Sequence, residues 1–166
     1  MAAAVFSPCR RYRYVLERDL LEPLLMPARP KVASFIGLNP STADEMVDDP
    51  TLRRCQAFAR TWGYDRLRML NMYAWRSTDP EALWGLPDPV GPENDAHLTA
   101  GTADAGVIVC AWGVNAEAAR EADLVRLLHG NGRSLSALKL TQDGRPNHPL
   151  YLPKSLVPIP YAEGAP

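Results

Sequence analysis

The sequence is short of the residues on which extracellular and membrane proteins depend. Its three cysteines, Cys9, Cys55 and Cys110, are odd in number, far apart and without a CxxC pair. That excludes a disulfide framework and a thiolate metal cluster, and points to a reducing compartment. No stretch approaches the roughly 20 apolar residues of a membrane span, and Arg10 and Arg11 arrive before any apolar run of signal length. Lysine is scarce, with 3 residues against 15 arginines. Net charge is nearly absent as well, at −1 with a pI near 6.3, which excludes a protein that coats nucleic acid over its whole surface. There is no internal repeat and no low-complexity tract. These absences together predict a cytoplasmic protein with no membrane partner.

What is present is enough for one folded domain. The chain has 166 residues, 46% of them hydrophobic, so it can bury a core. Sixteen prolines and 11 glycines favour short elements joined by many turns over long helices. Charge is distributed unevenly. Arg53, Arg54, Arg60, Arg66, Arg68 and Arg76 are opposed only by Asp65 within their stretch, whereas residues 79–119 hold acids and no Arg or Lys. One edge is therefore expected to be positive.

Residues 11–17 mix aromatic and β-branched side chains and read as a first strand at a sheet edge, followed by a loop marked by Pro23, Pro27 and Pro30. Residues 31–39 are apolar without strict alternation, as in a strand covered on both faces, and end at Pro40. A helix over 50–62 is announced by Asp49 as N-cap, Pro50 at the first helical position, an apolar stripe and Gly63 as the stop. Residues 66–75 and 106–112 are two further apolar strands, bridged by a short helix from about 92 to 103. A helix capped by Asn115 and closed by Gly130, then a strand over 134–140, complete the pattern. Alternation of β and α predicts a three-layer α/β/α domain over residues 11–157. Its sheet would be mainly parallel and four-stranded, plus the N-terminal edge strand, with tails at 1–10 and 158–166.

Ligands of open parallel sheets bind at the carboxyl ends of the strands. Those ends carry Gly37-Leu38-Asn39-Pro40-Ser41-Thr42, Asn71, Trp112-Gly113 and, after the last strand, Asn147-His148-Pro149-Leu150-Tyr151. Convergence of these clusters on one rim is the main site expectation. Several of the residues have plain structural readings. Asn39-Pro40 suits a strand-ending turn, Asp49 a helix cap, Trp112, Cys55 and Cys110 the core, and His97 and His129 the surface. Asp44, Asp48 and Asp49 lack the spacing of a Mg²⁺ site, and no metal or cofactor is expected.

The runs NPSTAD (39–44), DDPT with RxC (48–55), N-x-x-A-x-R (71–76), DPxGxEND (88–95), AWG (111–113) and GxPxHPLYL (144–152) resemble a bacterial and phage family known as domain of unknown function 1643. The resemblance spans roughly residues 11–152. More distantly, the order of Gly37-Leu38-Asn39-Pro40, Asn71, Trp112-Gly113 and His148-Pro149-Leu150 resembles the uracil-DNA glycosylase superfamily. That second resemblance implies hydrolysis of an N-glycosidic bond in DNA, RNA or a nucleotide. Asn39 and His148 would be catalytic, placing the water and donating to the departing base. Asn71 would read the base edge, Tyr73 or Tyr151 would stack on it, and Leu150 would be an apolar wedge. Gly37, Pro40, Ser41, Trp112, Gly113 and Asn147 would complete the substrate site, with Arg53, Arg54 and Arg76 on phosphate. This chain has Asn rather than a carboxylate at 39, and HPLYLP lacks the serines of the glycosylase loop. The alternatives are accordingly a non-catalytic nucleotide-binding or modified-base-binding module, or a metal-dependent nucleotide hydrolase using Asp44, Asp48 and Asp49.

Overall fold

The computed structural model describes residues 2–41, 43 and 46–162. Among the described residues, seven strands form one sheet in the order β1-β2-β4-β3-β5-β6-β7. They are β1 Ala2–Phe6, β2 Arg13–Asp19, β3 Val32–Gly37, β4 Arg66–Asn71, β5 Ala105–Cys110, β6 Leu135–Ala137 and β7 Ile159–Tyr161. The helices are α1 Pro50–Thr61, α2 Asn94–Gly101 and α3 Ala118–Gly130. Among the described residues no helix is long and apolar enough to cross a membrane.

The expected four parallel strands, β4-β3-β5-β6, form the middle of this sheet, but the sheet as a whole is mixed. Strand β2 runs antiparallel to β4 and is covered in turn by β1, so it is not an edge strand. Residues 2–6, expected within a tail, are that edge. Their Ala-rich composition has little intrinsic strand signal, and pairing with β2 supplies what propensity does not. At the other end, β7 pairs antiparallel with β6 inside the expected C-terminal tail. Pro160 lacks an N–H, a defect tolerated on an edge strand.

Both faces of the parallel strands are buried, which explains their apolar runs without alternation. On β3, Ala33 and Phe35 join α1 residues Leu52, Cys55, Phe58 and Ala59 in one core. Ile36 joins Leu98 of α2 and Leu124 and Leu128 of α3 in a second core on the opposite face. Ser34, fully buried, satisfies its hydroxyl by donating to the Gly101 carbonyl of α2 at 2.9 Å. The three layers follow from this alternation. Helix α1 has the expected cap, Asp49 Oδ1 accepting from the Leu52 N–H at 2.7 Å, a bond of about 1 kcal/mol. It ends before Gly63, whose φ of 78° suits glycine.

Helix α3 begins at Ala118, with Asn115 outside it. The Arg145 guanidinium takes the carbonyls of Val114 and Ala116 and the Glu121 carboxylate, holding residues 114–117 as a loop. The positive edge expected from the arginines is also reduced. Arg66 pairs with Asp19 and Arg68 with Glu17 and Asp104, so their charge is met across the strands.

Candidate functional site

Strand β3 connects to β4 on one side and has β5 on the other, so the chain changes direction around it. In such sheets the carboxyl ends flanking the reversal leave a crevice. Here it is a cleft of about 310 Å³, within the usual size range of small-ligand sites.

Several backbone bonds shape its floor. Beyond the strands, the Gly37 and Leu38 carbonyls accept from the Met72 and Tyr73 N–H groups at 2.9 and 3.0 Å, and Pro40 accepts from Ser77 at 2.9 Å. The Asn39 amide joins this lacing, its Nδ2 donating to the Ser77 carbonyl at 2.9 Å and the Pro40 carbonyl at 3.2 Å. Both amide hydrogens are thus committed to backbone. What Asn39 presents to the cleft is an acceptor, Oδ1.

Asn71, at the end of β4, is 3% exposed and lines the same cleft. Its Nδ2 has no acceptor among the described residues, and the same holds for Nε1 of the buried Trp112, also a lining residue. A buried donor without a partner costs about 1–3 kcal/mol, so two along one cleft are a marked feature. Gly37 leaves room for Asn71, since a Cβ there would lie 2.9 Å from Asn71 Oδ1.

His148 stands at the rim. The turn at Gly144 and the Asn147 N–H bond to the Lys139 carbonyl fold its loop back over β6. Gly113, with φ of 76°, lies against it, and a Cβ there would be 3.6 Å from His148 Cβ. Nδ1 of His148 accepts from the Leu150 N–H at 3.3 Å. That places the proton of the neutral ring on Nε2, making it a donor. His148 is exposed at the rim, and the partial desolvation of its ring by the cleft wall lowers its pKa from the ordinary value, with the Asp49 charge acting the other way.

The cleft therefore gathers Gly37, Asn39, Ser41, Asn71, Trp112, Gly113 and His148 of the expected site. Others lie elsewhere. Tyr73 is 1% exposed, hydrogen-bonded to Glu117 and set edge-on to Trp84, so it offers no stacking surface. Arg76 reaches away, over the Phe6 ring and to the Arg10 carbonyl. Pro40 and Asn147 are not lining residues. Leu150 and Tyr151 line a neighbouring open groove with Arg53, Arg54 and Lys154. Tyr151 is 94% exposed there, while Arg54 also lies over the Phe58 ring at 5.1 Å.

Of the acids considered for a metal, Asp48 is held by Arg18 and Gln56, Asp49 caps α1, and Asp44 lies outside the described residues, as does Thr42. The cleft also contains residues the sequence did not single out as its lining, including Arg13, Thr51, Ser77 and Asn115, and it takes in Asp49. Arg13 is 4% exposed and donates to the Ala43 carbonyl. An arginine inside a strand pattern was the available signal.

A family model described as a protein of unknown function, DUF1643, matches residues 13–150. No curated protein and no solved structure matches the chain.

Proposed function

The chain belongs to the DUF1643 family, and we propose that its cleft binds a nucleobase and hydrolyses the N-glycosidic bond holding it, in DNA, RNA or a nucleotide. One observation carries this reading. Donors on Asn71 and Trp112 without an acceptor among the described residues, a rim imidazole with its proton on Nε2, and the Asn39 acceptor all belong to one cleft at the reversal of the sheet. A nucleobase edge is rich in acceptors, and loss of a base leaves negative charge on that ring and cationic character on the sugar.

In this reading, water held by Asn39 Oδ1 attacks the anomeric carbon as the C–N bond breaks. The bonding pair leaves with the base, whose charge is met by His148 Nε2–H and Asn71 Nδ2. The order of strand-end motifs resembles the uracil-DNA glycosylase superfamily, which supports the same reaction class. In a polymeric substrate, Arg53, Arg54 and Lys154 would meet phosphates along the adjacent groove, with Leu150 and Tyr151 as apolar and stacking surfaces.

The test is base release from oligonucleotides and free nucleotides carrying uracil or modified bases. His148→Ala should lower release by about 10²-fold or more; undiminished turnover removes the mechanism. A second reading, a binding module without chemistry, is favoured by the neutral Asn39 in place of a carboxylate. Tight binding by the wild type with no abasic product would establish it.

A further inference from the structure

We propose that Asp49 is the general base of the cleft, the carboxylate that takes the proton of the attacking water. The proposal rests on the hydrolytic reading above and supplies what that reading lacks. The Asn39 amide can hold a water but cannot accept a proton from it, and hydrolysis releases one as the new C–O bond forms.

Among the described residues lining the cleft, Asp49 is the only carboxylate. Its neighbour Asp48 is spent on Arg18 at 2.8 Å and on the Gln56 amide. Asp49 is spent only in part: Oδ1 accepts from the Leu52 N–H, and no partner of Oδ2 is found among the described residues. Capping needs one oxygen, and Pro50 at the first helical position has no N–H to claim the other. The cap also fixes the carboxylate at the end of a twelve-residue helix, giving the rigidity that positioned acid–base groups need. His148, across the cleft, is subject to the Asp49 charge. The site then has a donor for the departing base and an acceptor for the water's proton, the division of labour this bond cleavage requires.

The balance is simple. The water oxygen bonds to the anomeric carbon, and the glycosidic pair leaves on the base nitrogen. One water proton passes to Asp49 and on to solvent, and the base anion, met by the hydrogen bond from His148 Nε2–H, takes its proton from solvent.

Asp49→Asn tests this cleanly, because the amide oxygen retains the cap to Leu52. The expected result is a fall in kcat of about 10²-fold or more with KM little changed, and an unshifted thermal midpoint. Asp48→Asn, which removes a charge next door, should leave kcat within about threefold even as it lowers stability. A readout independent of turnover is the His148 titration followed by NMR. Its pKa should drop further in Asp49→Asn, as a favourable negative charge is removed.

Wild-type-like kcat in Asp49→Asn overturns the proposal while leaving the hydrolytic reading intact. An unmoved His148 pKa also overturns it, since the two groups would not share the site. Absence of any base release by the wild type defeats both readings, whatever His148 does.

Discussion

Asn71 is where structural and functional roles separate most clearly. A side chain kept for stability should have its hydrogen bonds made, yet Nδ2 is buried without an acceptor among the described residues. An unmade bond of this kind costs about 1–3 kcal/mol. Replacing the amide by an apolar group of similar shape should remove that cost. We therefore expect Asn71→Leu to hold or raise the free energy of unfolding by up to about 1–2 kcal/mol in urea titrations. The same change should weaken nucleotide binding by about tenfold or more, the loss expected of a polar contact in a dry site. Lower stability in that variant would mean the amide serves the fold, and the base-reading role would be lost with it. Tyr73 shows the opposite case. Its position after β4 resembled that of Asn71 in the sequence, but both its ring and its hydroxyl are used inside the protein.

At the scale of the element, the site depends on how β3 and β4 end side by side. Gly37 and Asn71 are register partners in the parallel ladder, and the absent Cβ of the first makes space for the amide of the second. A methyl group at 37 would stand 2.9 Å from Asn71 Oδ1. Gly37→Ala should displace that side chain, costing about 1–3 kcal/mol of stability by overpacking and weakening ligand binding, both measurable by urea titration and calorimetry. Retained affinity would show that Asn71 does not contact the ligand. The strands were legible in the sequence because both faces of each parallel strand are buried, but their ends were not: the apolar runs over 31–39, 66–75 and 106–112 continue past the ends of β3 at Gly37, β4 at Asn71 and β5 at Cys110, because the residues that follow are mostly buried without extending the strand pairing. The start of α3 was not legible either. Asn115 has the chemistry of a cap, but Arg145, 30 residues further along the chain, claims the carbonyls around it. Bonds of that kind are set by tertiary structure and leave no local signal.

For the whole molecule, what matters is which charges remain after folding. Six arginines in one stretch of sequence suggested a positive edge, because sequence shows cations without showing what they pair with. Folding puts Arg66 and Arg68 beside Asp19, Glu17 and Asp104, carboxylates from other parts of the chain. Strands β1 and β7 were missed for a related reason, since each depends on a partner strand rather than on its own pattern. The groove beside the cleft is the exception, bringing Arg53, Arg54 and Lys154 together with the exposed Tyr151. Each cation that neutralises a phosphate of single-stranded nucleic acid contributes about −0.7 to the slope of log K against log salt. Three such contacts give a slope near −2, far shallower than if all the arginines of that stretch took part. Measured with a single-stranded oligonucleotide over a salt series, Arg53→Ala should reduce the steepness by about 0.7, whereas Arg68→Ala should leave it unchanged and lower stability instead. A slope that responds to Arg68 and not to Arg53 would move the nucleic-acid path off this groove and onto the outer strands.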